Sequence, residues 1–150
     1  MDIPMRTHAR TRDSRYDRTW DTGMCSSADA RDAVAALLAS AHPAPARRSV
    51  QDAQLVVSEL VTNAEKHAPG PCALSLELGP GAHALRICVT DTSTQPPRSR
   101  PPDPGRVGGH GLHLVTMLSR NLEVTVLPEG KRVTATVPLV TERAASRHGG

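Results

Sequence analysis

Between Val57 and Ala68 the apolar residues recur three and four positions apart. Val57, Leu60, Val61, Ala64 and Ala68 form one stripe, the pattern of an amphipathic helix. Its expected start is Ser49, a capping residue, and its expected end is His67, before Pro69-Gly70-Pro71. The alanine-rich run Ala30 to Ala41 predicts an earlier helix, capped by Ser26, Ser27 or Asp29 and stopped by His42-Pro43-Ala44-Pro45. After the main helix the pattern shifts to strands. Cys72 to Leu78 and Ala84 to Asp91 are alternating or β-rich, joined by Gly79-Pro80-Gly81-Ala82-His83. A short helix follows over Gly111 to Ser119, with Leu112, Val115 and Leu118 on one side. Leu122 to Leu127 and Arg132 to Val137 make a last hairpin, and Thr19 to Cys25 a short edge strand. Strands cluster as hairpins and the helices are too few to cover two faces. The expected fold class is α+β, a two-layer sandwich of a mixed, mostly antiparallel sheet with helices on one face.

Three stretches lack a packing pattern. Residues 1–18 are read as a disordered basic N-terminal arm and 141–150 as a disordered tail, leaving 19–140 as the domain. The segment from Thr92 to Gly109 is rich in Pro, Arg, Ser and Gly, and irregular loops of that length are usually functional or disordered. At 150 residues the chain is one domain with room for a core. That core must come from Val, Leu and Ala, because Tyr16 and Trp20 are the whole aromatic complement. The same shortage removes the stacking platforms of a single-stranded nucleic-acid binder. The net charge of +3 lies largely in the two ends, which read as solvated arms, so no direct nucleic-acid contact is expected. No apolar run approaches the ~20 residues of a membrane span. Cys25, Cys72 and Cys88 are odd in number and lack metal-ligand spacing, which predicts reduced thiols in a cytoplasmic protein.

The candidate chemistry sits on the main helix. Glu59, Asn63 and His67 are spaced i, i+4, i+8 and share a face away from the apolar stripe. A carboxylate, an amide and an imidazole in one row could hold a metal, bind phosphate, move a proton, or simply meet solvent. Asp91 ends a strand, and Gly108-Gly109-His110-Gly111-Leu112 opens a helix after the long loop. Glycines at a helix N-terminus let the backbone approach an anion closely.

Taken in order, Ser58-Glu59-Leu60-Val61-Thr62-Asn63-Ala64-x-x-His67-Ala68, Val89-Thr90-Asp91 and Gly109-His110-Gly111-Leu112 resemble the GHKL family of ATP-binding domains. The match is closer to its serine-kinase anti-sigma-factor branch, and covers about residues 20–138. The resemblance implies the Bergerat ATP-binding fold, with a lid at 92–109 that is disordered without ligand. It implies ATP and Mg²⁺ as cofactors. Asn63 would be the metal ligand, Glu59 the catalytic base or orienting group, and Asp91 the acceptor for the adenine amino group. Lys66 and His67 would lie near the nucleotide, and Gly109, His110, Gly111 and Leu112 would hold phosphate. The implied activity is phosphorylation of a serine or threonine on an antagonist protein, with sequestration of a sigma factor as the alternate state; the family often works as homodimers. Asp91-Thr92-Ser93 stands where the family usually reads Asp-x-Gly, and Arg132 where it often has threonine. The alternative reading is therefore a regulatory binding module of the same fold with little or no turnover.

Overall fold

A computed structural model of the chain describes residues 7–12, 14–20, 26–67, 71–92 and 111–141. Six strands and three helices follow in the order β1 (Thr7–Arg12), β2 (Arg15–Trp20), α1 (Ser27–Ala39), α2 (Arg47–His67), β3 (Cys72–Leu78), β4 (Ala84–Asp91), α3 (Gly111–Leu118), β5 (Arg120–Leu127) and β6 (Gly130–Pro138). A single 3₁₀ turn at Pro80–Ala82 joins β3 to β4. The spatial order is β1-β2-β3-β4-β6-β5.

Alternation in the central strands decides which way the sheet faces. Leu74 and Leu76, Leu85, Ile87 and Val89, and Val133, Ala135 and Val137 are all buried, and they meet Val34, Leu37, Val56, Val57, Leu60, Val61 and Val115 from the helices. Their neighbours Ser75, Glu77, Arg86, Cys88 and Arg132 point to the other, more open face. Helices thus cover one face of the sheet, as the sequence predicts for an α+β sandwich. All the described strand pairs are antiparallel, where a mixed sheet is the expectation. The β5–β6 hairpin turns the chain back before it reaches β4, so β6 lies antiparallel beside it.

The N-terminal arm is a correction. Residues expected to be unstructured form β1 and β2, and β2 pairs with β3 from Arg15↔Glu77 to Trp20↔Cys72. The free edge of β3 supplies backbone partners that a local reading of polar residues does not see. Two of its arginines, Arg15 and Arg18, are engaged by partners. Arg15 Nε donates to Asp17 Oδ2 at 3.0 Å, and that bond raises the guanidinium pKa above its usual value. Arg18 bridges to Asp29 at 3.1 Å and stacks over the Trp20 ring at 4.9 Å, joining β2 to α1. The expected strand at Thr19 to Cys25 survives only as the end of β2; residues 21–25 lie outside the described residues, as do 142–150 of the expected tail.

Two further expectations change. Ser26 does cap α1, its hydroxyl accepting from Asp29 N at 3.0 Å, but Ser49 does not cap α2, which begins two residues earlier. Ser49 is buried, and its hydroxyl accepts from Val140 N at 2.8 Å, tying the first turn of α2 to the end of β6. Ala46 N donates to Val140 O at 2.7 Å and completes the junction. Cys72 is disulfide-bonded rather than reduced, while Cys88 is free. Sequence spacing alone did not show that pairing, and it removes the argument for a reducing compartment.

Candidate functional site

The two flanks of α2 have different neighbours. On one, Ser58 Oγ accepts from Arg31 Nη1 at 3.0 Å and Gln54 Nε2 donates to Arg31 O at 3.1 Å, so this side is docked on α1. Gln54 and Asn63 are about two and a half turns apart, which places them on opposite sides of the helix. Glu59 and Asn63, one turn apart, therefore share the flank turned away from α1. Both are half-buried, and neither makes a side-chain hydrogen bond or ion pair among the described residues. Partly exposed and without a protein partner among the described residues, the carboxylate and the amide are open to water or to a ligand. Lys66, in the next turn, is exposed. His67 closes α2, but its side chain lies outside the described residues.

Asp91 is placed by the sheet. It ends β4 in phase with Leu85, Ile87 and Val89, so its side chain enters the helix-covered face and is 2% exposed. Lys131 lies opposite it on β6, in phase with Val133, Ala135 and Val137, and is equally buried. Its Nζ donates to Asp91 Oδ1 at 3.1 Å and to Oδ2 at 3.0 Å. Asp91 makes a further interaction besides this one. Next to Lys131, Gly130 opens β6 against the β4 backbone. A Cβ there would stand 1.8 Å from the Asp91 carbonyl oxygen and 2.9 Å from Thr92 Cα. The close approach, which glycine alone permits, lets the two strand ends meet beside the carboxylate.

A cavity of about 710 Å³ opens at this end of the sheet, lined by Trp20, Cys72, Thr90, Asp91, Thr92 and Leu127 among others. Its size falls within the roughly 300–1,000 Å³ of small-molecule sites. Neither Glu59 nor Asn63 lines it. They lie on α2, which packs against both β4 and β6 and runs beside α3. Gly111 and Leu112 begin α3, while Gly109, His110 and the lid from Ser93 to Gly109 lie outside the described residues.

The sequence reading missed Lys131 and Gly130. A signal for the lysine was present: it falls in the alternating apolar row of β6, where a lysine is rarely buried without a charged partner.

Residues 26–137 match the family described as histidine kinase-like ATPase domain, well over half of the chain. The chain belongs to the histidine kinase-like ATPase family. Membership makes ATP the nucleotide of this ATPase domain, and the antiparallel sheet covered on one face is the Bergerat fold. Among solved structures it is similar to the RsbU and RsbW domains of Rv1364c from Mycobacterium tuberculosis, with a TM-score of 0.54 and 17% identity over 91% of this chain and 33% of that one. That likeness is one of fold. It is also similar to the histidine kinase domain of the blue-light activated histidine kinase from Erythrobacter litoralis EL346, at 28% identity and a TM-score of 0.44 over 63% of this chain and 46% of that one. A second structure of that kinase matches at 27% identity and a TM-score of 0.43, over 66% of this chain and 32% of that one. The ATPase domain thus spans less than half the length of each of these solved chains. No curated protein matches it.

The described residues of the ATPase domain fit such a nucleotide. A buried strand-end carboxylate borders a cavity of suitable size, and the polar flank of α2 carries an acid and an amide with no protein partner among those residues.

Proposed function

We propose that this ATPase domain binds Mg·ATP and acts as a serine/threonine protein kinase of the anti-sigma-factor type. Its substrate is an antagonist protein, and a sigma factor is the partner held in the alternate state. The observation that carries this reading is the Glu59/Asn63 pair, half-buried on the flank of α2 turned away from α1 and without a protein partner among the described residues. Asn63 is the ligand for Mg²⁺ through its side-chain carbonyl, in keeping with an ion that takes few protein ligands beside phosphate. The bound Mg²⁺ and triphosphate supply the transferable phosphoryl group and the neutralisation of its charge. Glu59, one turn earlier, orients the attacking hydroxyl and takes its proton. Asp91 accepts from the adenine amino group, whereas guanine would present a carbonyl to that acceptor. The same reading assigns Lys66 and Gly109-His110-Gly111-Leu112 to the phosphates and His67 to the flank of the nucleotide, as the family resemblance implies. The fold shared with an RsbW domain supports the anti-sigma branch. A cytoplasmic location is part of the same proposal; among the described residues no helix is long and apolar enough to cross a membrane.

A regulatory module without turnover is favoured by one observation, Ser93 at the position where the family usually has glycine. Calorimetric titration with ATP, with and without Mg²⁺, tests the first reading. Glu59→Ala is expected to bind Mg·ATP as the wild type does while losing transfer of a labelled γ-phosphoryl group to a serine-bearing anti-anti-sigma protein. Wild-type transfer by that variant would refute the role of Glu59. Binding with no transfer by the wild type would favour the module.

A further inference from the structure

Lys131 is the buried charge that the proposed mechanism leaves without a task. Its side chain is 2% exposed, as is that of Asp91, and its Nζ spans both carboxylate oxygens at 3.1 and 3.0 Å. A buried carboxylate that is neither paired nor hydrogen-bonded is costly, so the counter-charge lets Asp91 sit beneath the cavity as a pure acceptor. Lysine reaching both oxygens also fixes the carboxylate about its last torsion, which is otherwise broad. Gly130 holds the backbone that bears Lys131 against that of Asp91, so the pair is built into the meeting of β4 and β6. A carboxylate offers about four acceptor positions; lysine engages one on each oxygen, and Asp91 makes a further interaction as well.

We propose that Lys131 is a positioning residue for base selection, aiming the Asp91 carboxylate at the exocyclic amino group of the purine. The inference rests on the reading of Asp91 as the adenine acceptor. Lys131 touches no nucleotide in this scheme and acts through Asp91. Its loss turns the carboxylate away from the amino group and leaves contacts to ribose and phosphate intact. The loss is thus specific to nucleotides that carry the amino group.

The test compares binding of ATP with that of purine riboside triphosphate, which lacks the amino group, on the full chain. Wild type is expected to prefer ATP by about tenfold to a hundredfold, the range of one hydrogen bond to a charged acceptor. Lys131→Met is expected to lose most of that preference while binding purine riboside triphosphate within about twofold of wild type, and Lys131→Arg to restore it. Should the methionine variant not fold, Lys131→Gln, of similar length but without charge, takes the same comparison. Weakening of both nucleotides alike, or an unchanged preference, overturns the role of Lys131. Asp91→Ala, which leaves no acceptor, separates the two levels. If it removes the preference and the lysine variants do not, only the inference about Lys131 fails. A wild type without preference, or Asp91→Ala retaining it, overturns the adenine reading as well.

Discussion

Gly130→Ala is the substitution for which the structure gives the sharpest expectation. An added Cβ would lie 1.8 Å from the Asp91 carbonyl oxygen, 2.8 Å from its carbon and 2.9 Å from Thr92 Cα, against a floor near 3.0 Å for real contacts. The obstacle is backbone, so no rotamer change relieves it. The ends of β4 and β6 must separate by about 1.2 Å, beyond what a packed interior absorbs without loss. Forcing an extra carbon into such a place costs about 1–3 kcal/mol. For a domain of this size each kcal/mol lowers Tm by roughly 2–4 °C, so a fall of about 2–12 °C in thermal denaturation is expected. The same displacement moves Asp91, and a misplacement near 1 Å in a positioned site can cost about a hundredfold. ATP affinity by calorimetry should therefore fall well beyond what the fraction unfolded explains. Gly79→Ala is the control: the nearest atom to its Cβ is the Ala84 carbonyl oxygen at 3.6 Å, an ordinary contact, and Tm should stay within about 2 °C. A Gly130→Ala protein with wild-type Tm and wild-type ATP affinity would refute the reasoning.

Asn63→Ala should abolish the Mg²⁺-dependent part of ATP binding, seen as loss of the difference between titrations with and without the metal; an unchanged difference would remove Asn63 from the metal site. Ser49→Ala strips the acceptor from Val140 N–H and should cost about 1–3 kcal/mol in urea denaturation if water does not replace it, whereas a midpoint equal to wild type would show the junction to be solvated. Ser26→Ala removes the hydroxyl cap of α1 and should cost about 1 kcal/mol, with Ser26→Asp recovering most of it.

Much of this domain was legible because its signals are local. Both strands of the β3–β4 hairpin follow the predicted bounds, since alternation and turn residues act within a few positions. The stripe on α2, the Ser26 cap and the phase that puts Glu59 and Asn63 on one flank are likewise fixed by period and side-chain type. What the sequence alone could not decide depended on partners distant along the chain. β1 and β2 exist because β3 has an edge to pair with, and Ser49 leaves its capping role because Val140 arrives from the other end of the domain. Lys131 looked like a turn residue. It became the buried counter-charge of Asp91 only once β6 was laid antiparallel against β4 with Gly130 in contact with the neighbouring backbone. Local residue types set which segments fold and which faces are apolar, while strand register, a property of the whole sheet, chose which charges meet out of water.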